Sequence, residues 1–265
     1  MSEFKTFPTS GYTVIKNREI LFTFDHGPLG MPPLYNHGHA DALSITLSVN
    51  GKLLIVDPGT YSYNAAPELR RYFKGTRAHN TVNIDGEDQA VQETAFIWRR
   101  PYRAALTEAS RIHGGLLLRG MHDGYERLKR PLKHTREVFF TGENIFLIRD
   151  SFSGSGLHDF ELTYHLHPDA ATALQGDGWW SIDHNGTRAY LSLLWGASFQ
   201  FSEGLEDPMF GWYSPSYGVR LKSGVLSCLK TGRSNEVSFV TALCMNEPSG
   251  VEDLALRLFQ VCNTG

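Results

Sequence analysis

Cysteine is scarce in this 265-residue chain, and the three present (Cys228, Cys244, Cys262) all fall late in it. An odd number with this spacing excludes a disulfide framework and a zinc knuckle, and reads instead as small buried apolar side chains. No apolar run approaches the length of a membrane span, so no membrane partner is expected. The first residues, Met1-Ser2-Glu3-Phe4-Lys5-Thr6, carry no apolar segment of the secretory kind. A basic stripe is also missing. The formal net charge is −3 at pH 7, with both signs interspersed, which excludes nucleic acid as a partner. Local pairs such as Arg99-Arg100 and Lys129-Arg130 are still compatible with a polyanionic sugar. Repeats, low-complexity tracts and proline-rich linkers are absent. Helical periodicity is weak, and one short helix is expected over Ala66–Tyr72, with Pro67 near its start.

What the chain does have is period two. Leu43–Val49 alternates apolar and polar side chains, meets Asn50-Gly51, and leaves as Leu53–Val56, which reads as a hairpin. Glu137–Phe140 turns through Thr141-Gly142-Glu143-Asn144 into Ile145–Ile148. Trp180–Ile182 and Ala189–Leu194 flank His184-Asn185-Gly186-Thr187. Val225–Leu229 and Val237–Leu243 read as a further antiparallel pair. Many short strands with glycine-rich turns predict an all-β fold, a large antiparallel β-sandwich with few short helices. Hydrophobic residues make up 41% of the chain, enough for one large core. A single domain over residues 1–265 is expected, with the part after Gly204 as a later layer of the same sandwich.

The chemistry is concentrated in three segments: Asn36-His37-Gly38-His39-Ala40-Asp41, Val56-Asp57-Pro58-Gly59-Thr60-Tyr61, and Thr76-Arg77-Ala78-His79-Asn80-Thr81. In a strand, His37 and His39 would share a face. The Asn50-Gly51 hairpin returns Asp57 toward His39, and His79 opens another strand candidate, Thr81–Ile84. Two imidazoles and a carboxylate form a three-ligand set for a divalent ion of the Zn²⁺ type, and Mn²⁺ or Ni²⁺ would suit it too. Asp41, Asn36 and Asn80 are available to accept the second N–H of a ligating histidine. His37 is then a spare imidazole for acid/base work or for neutralising a carboxylate. Taken one at a time, such residues are more often structural, and Asp-Pro-Gly is often only a turn. Their concentration in one hairpin and its neighbour favours the metal.

These residues carry a resemblance. His37-Gly-His39-Ala-Asp41, Val56-Asp-Pro-Gly59 and Ala78-His-Asn-Thr-Val82, with Asp85-Gly86 and Gln89, resemble the C-terminal β-sandwich of the heparinase II/III-like polysaccharide lyases. Gly11–Ile15, Asp25-His26-Gly27-Pro28, His134-Thr-Arg136-Glu-Val138, Asp150 and Tyr164-His165-Leu-His-Pro168 fit the same pattern. The resemblance implies a supersandwich-like fold, a metal held by His39, Asp57 and His79, and His37 in the catalytic cleft. It further implies β-elimination on a uronate-containing acidic polysaccharide or oligosaccharide, of heparan or alginate type.

That reaction needs a neutralised uronate carboxylate, a base for the C5 proton and an acid for the departing oxygen. Tyr61, Tyr63 and Tyr72 sit between the ligand segments, and Tyr61 and Tyr72 are the candidate acids beside His37. Arg70, Arg77 and Asn36 are candidate substrate-binding residues; Arg71 is a further cation, although salt bridges would claim at least two of the three arginines.

Complete enzymes of this kind place an α/α-toroid domain before the sandwich, and the first sandwich motif here begins near residue 11. The expectation is therefore a chain without its toroid, which binds metal but shows little or no lyase activity alone. The full-length protein would belong to the periplasm or cell envelope, and assembly into a homo-oligomer is compatible with this reading. A carbohydrate-binding or structural module, with Trp98, Trp179, Trp180, Trp195, Trp212 and Tyr213 as stacking surface, is the alternative. A cupin-like enzyme fits less well, because Asp41 lies too close to His39.

Overall fold

The computed structural model describes residues 3–64 and 66–260; Met1, Ser2 and Cys262 lie outside the described residues. Three antiparallel sheets carry the architecture. The first runs in chain order, Glu3–Phe7, Tyr12–Lys16, Ile20–Asp25, Ile45–Val49 and Lys52–Ile55. The second has the order Gln200–Glu203, Gly224–Arg233, Leu157–His165, Val82–Ile84. An antiparallel bridge between Ile55 and Leu166 joins the two, reinforced by Val56 N–H donating to the His165 carbonyl at 2.9 Å.

Facing them is an eight-stranded sheet with the order Ala171–Leu174, Trp180–His184, Thr187–Leu193, Ser238–Cys244, Ile145–Gly154, Leu132–Phe140, Gly115–His122, Ala104–Ile112. The layers meet through alternate side chains, as the period of two requires. Phe22 stacks on Phe146 and Phe146 on Phe140, each pair 4.3 Å apart, and Val138, Ile148, Leu162 and Tyr164 complete the same core. Each such buried side chain contributes about 1.5–3 kcal/mol. The outer face of the large sheet (Phe139, Leu147, Val240, Ala242) is covered by the helix Val251–Gln260 through Val251, Ala255 and Leu258. Cys228 and Cys244 are buried in these two cores, as expected.

The all-β sandwich and the turn-linked hairpins agree with the sequence. The Asn50-Gly51 turn is present with both residues at positive φ, joining Ile45–Val49 to Lys52–Ile55. The helix forms over Pro67–Lys74, starting one residue and ending two residues later than expected. One pairing differs. Gly224–Arg233 and Ser238–Cys244 are both strands, but they belong to opposite layers, the first pairing with Leu157–His165 and the second with Ile145–Gly154. Alternation marks which side chains are buried, not which neighbour supplies the hydrogen bonds. Among the described residues, no helix is long and apolar enough to cross a membrane.

Candidate functional site

The three sequence segments converge where the first two sheets join. His39 lies in the loop ahead of Ile45–Val49, Asp57 two residues beyond Lys52–Ile55, and His79 at the end of the short 3₁₀ turn Thr76–Ala78. Asn80 fastens them. Its amide donates to the carbonyls of Ile45 at 2.7 Å and Val56 at 2.8 Å, while its side-chain oxygen accepts the His165 N–H at 2.6 Å. Gln89 pairs with both backbone groups of Ala42, at 2.8 and 3.0 Å. Trp98 donates to the Gly38 carbonyl at 2.8 Å and the Tyr102 hydroxyl to that of His39 at 3.2 Å. The histidine loop, which has no strand ladder, thus adds side-chain hydrogen bonds to a few backbone ones, such as Ala40 N–H to the Lys74 carbonyl at 2.9 Å.

Ligand atoms of His39, Asp57 and His79 all lie within 4.8 Å of one another. His79 Nδ1 is 2.9 Å from Asp57 Oδ2, and the His79 ring lies 5.2 Å from that of His39. His79 is fully buried, whereas the Asp57 side chain is 46% exposed, so the cluster opens on the carboxylate side. Asp57 Oδ1 accepts the Gly59 N–H at 3.0 Å. Gly59 itself has φ +75°, and a Cβ there would collide with the Ser214 carbonyl, so glycine is required at this turn.

The electrostatics favour a cation. Burial alone would raise the Asp57 carboxyl, but the charge and hydrogen bond of His79 bring it down to about 2. Burial, assisted by the nearby His79, pushes His39 down to about 3 and keeps its lone pair free. Burial opposes a proton on His79, yet Asp57 overcomes it and holds that imidazole above its ordinary value. A bound ion would take the place of that proton. His79 Nε2 is buried with no hydrogen-bond partner, an orphaned donor or acceptor of the kind that calls for an explanation. Two imidazoles, one of them His79 with this orphaned nitrogen, and an ionised carboxylate fit a Zn²⁺-type ion.

His37 and His39 do not share a strand face. His37 has φ +62° and lies in irregular backbone; its exposed ring turns to Tyr63 (5.3 Å, edge-on) and Phe96 (5.6 Å). Arg70 is buried, with its guanidinium 5.3 Å over the Tyr63 ring, Nε donating to the Ala95 carbonyl at 3.1 Å, and Nη1 unpartnered. Tyr63 is therefore the tyrosine packed against His37. Tyr61 stacks on Phe73 at 5.5 Å. The Tyr72 hydroxyl accepts the N–H groups of Gly211 at 3.1 Å and Trp212 at 3.2 Å, and burial pushes it up to about 12. Arg77 holds Glu161 in a bidentate pair at 2.6 and 2.9 Å and covers the Phe210 ring, which commits it to the fold. Asn36 is exposed and bridged to Met31 through its backbone. The expected second-layer acceptors are not used: His39 meets Thr60 Oγ1 at 3.4 Å, and Asn80 is spent on backbone.

Sequence reasoning named His134, Arg136 and Asp150 only as part of the resemblance and gave them no role; with His122 they form a buried chain behind the site. The Gly124 N–H donates to His122 Nδ1, so His122 Nε2 carries the proton given to His134 Nδ1 at 3.2 Å. His134 Nε2 must then donate to Asp150, at 2.6 Å. Arg136 holds the same carboxylate through Nε (2.7 Å) and Nη2 (3.1 Å), and its Nη1 donates to the carbonyls of Leu43 and Asn80. Both of those residues belong to the loops that carry the ligands.

The family described as Heparinase II/III-like, C-terminal, matches residues 2–238. The chain belongs to that family. This heparinase II/III-like C-terminal domain is 24% identical over 246 residues to a heparin-sulfate lyase of Bacteroides stercoris, covering 91% of the chain and 34% of the relative. It is 26% identical over 161 residues to a heparin-sulfate lyase of Bacteroides thetaiotaomicron, covering 60% of the chain and 20% of that relative. The chain thus spans about a third or less of the curated relatives it matches. In fold it is similar to the heparan sulfate lyase of Pedobacter heparinus, with a TM-score of 0.75, 17% identity, and coverage of 93% of this chain and 37% of that one. A heparinase III superposes with a TM-score of 0.72 at 24% identity, over 93% of this chain and 36% of the other.

Proposed function

We propose that this chain is the β-sandwich wall of a polysaccharide lyase that cleaves a uronate-containing polymer of heparan sulfate type by β-elimination. The observation that carries the reading is the convergence of His39, Asp57 and His79 beside a shelf made by His37, Tyr63 and Arg70. Family membership and the heparin-sulfate lyases among the relatives support it.

In the reaction a base takes the proton from C5, the electron pair closes the C4–C5 double bond, and the C4–O bond breaks with protonation of the leaving oxygen. Arg70, buried behind the Tyr63 ring, would supply positive charge toward the uronate carboxylate, whose neutralisation acidifies C5. His37 is exposed and held edge-on by Tyr63, a position from which an imidazole can accept or donate a proton at the substrate. His39, Asp57 and His79 hold a divalent ion of the Zn²⁺ class, which supplies positive charge and rigidity at the cleft. On this reading an N-terminal helical domain of the same protein provides the opposite wall, and the 265-residue chain alone is inactive.

Ultraviolet absorbance of unsaturated uronate tests this. The full-length protein should generate it from heparan sulfate, and the isolated chain should not. Failure of the full-length protein on every uronate polymer, with sugar binding retained, would favour a carbohydrate-binding module instead. A substantial rate from the isolated chain would overturn the two-wall reading.

A further inference from the structure

A second constellation lies where the edge of the eight-stranded sheet meets the junction of the other two. We propose that His167, Asp169 and His184 form a second divalent-metal site, of the Zn²⁺ class, that fastens the two layers together. Their ligand atoms lie within 4.8 Å of one another. His184 ends the strand Trp180–His184 of the large sheet; His167 follows Leu166, the bridge residue of the facing layer.

The tautomers are settled by the hydrogen bonds. His184 Nδ1 lies 2.8 Å from the Leu53 carbonyl. A carbonyl only accepts, so Nδ1 carries the proton and Nε2 keeps its lone pair. A ligating histidine is commonly oriented through its other nitrogen in this way. His167 Nδ1 spends its lone pair on the Asp169 N–H at 3.2 Å, a long hydrogen bond that an ion would displace, and Asp169 Oδ2 stands 3.9 Å from the same nitrogen. The two imidazoles stack at 4.3 Å with planes 17° apart, so binding an ion between them would turn the rings out of the stack to bring their nitrogens together. The Asp169 side chain is 75% exposed and free to swing onto an ion. Two imidazoles and one carboxylate suit Zn²⁺, Co²⁺ or Ni²⁺ better than the harder Ca²⁺ or Mg²⁺.

The site has a mechanical consequence. His184 and His167 grip neighbouring carbonyls of one strand: the His184 ring donates to Leu53, and the His167 backbone N–H donates to Leu54 at 3.1 Å. That strand, Lys52–Ile55, delivers Asp57. An ion across the two histidines would pin it between the layers. The inference does not depend on the lyase reading.

The test uses the tag-free 265-residue chain, stripped with chelator and titrated with Zn²⁺ by calorimetry, with bound metal counted by elemental analysis. The wild type should bind two Zn²⁺, and His184→Gln one; its amide can still donate to Leu53, so the fold should persist. His39→Ala should also bind one, and the double variant none. An unchanged Zn²⁺ count in His184→Gln overturns the second site, whatever His39→Ala does; an unchanged count in His39→Ala bears on the first cluster alone. Should His184→Gln fail to fold, the exposed Asp169→Asn replaces it, expected to weaken one of the two binding events by roughly tenfold or more. Two unaltered binding events in that variant overturn the site equally.

Discussion

The guanidinium of Arg136 donates to the carbonyl of Asn80 at 2.6 Å across the sandwich, tying the middle of the eight-stranded sheet to the segment that presents His79. The same group neutralises Asp150, so the fold and the candidate metal centre share one buried cation. A charge with no exposure at all persists because all three guanidinium nitrogens donate hydrogen bonds, to Asp150, Leu43 and Asn80.

Arg136→Met should therefore destabilise the chain by about 3–5 kcal/mol, since Asp150 would be left as a poorly compensated buried charge. Adding Asp150→Asn should recover part of that loss. Urea denaturation checks both. Equal stability of wild type and Arg136→Met would show that the network carries no weight.

Acid should weaken the metal-free fold in a graded way. Burial holds His122 well below, and His134 below, the ordinary imidazole value, and His165 is pushed down to about 3. The unfolded chain takes up these protons first, so stability falls as pH drops below about 6.5. Burial works to raise Asp150, but Arg136 wins and holds it low, which adds a further loss below about pH 4. His79 acts in the opposite sense: held above its ordinary value, it contributes below about pH 6.5 and loses that contribution as pH rises through its folded value. Asp25, Asp41 and Asp88, raised by burial, act in the same sense as His79, but His26 and His39 are depressed as well, and thermal melts in chelator from pH 8 to pH 4 should show a net decline. A melting temperature that rises steadily toward pH 4 would contradict the assignment.

Arg70 offers a sharper functional test. Its guanidinium is buried over the Tyr63 ring while Nε donates to the Ala95 carbonyl, and lysine lacks the planar group that makes both contacts at once. In the full-length protein, Arg70→Lys should raise KM for heparan sulfate or lower kcat/KM by roughly tenfold or more. Arg77→Lys, which loses only a structural pair with Glu161, should change stability more than KM.

Much of this was legible in the residues themselves. The strands followed from period two and from turns such as Asn50-Gly51, and the ligand cluster from imidazoles and a carboxylate in neighbouring segments. Tertiary choices were not. Nothing in Val225–Leu229 or Val237–Leu243 says that a crossover separates them into opposite layers. Arg136, at an alternate position of a strand, reads as surface until its partners Asp150, Leu43 and Asn80 are assembled around it. His37 was placed by a positive φ that no alternation rule contains, and this is why Tyr63, not Tyr61 or Tyr72, came to face it.

The most direct test pairs metal content with lyase rate in the full-length protein. His37→Ala should keep its metal and lose roughly 10²–10⁴-fold in kcat on heparan sulfate, the range for a general acid or base. His39→Ala should lose the ion of the first cluster. A His37→Ala enzyme that turns over at the wild-type rate, or a His39→Ala chain that retains its full metal content, would contradict the account.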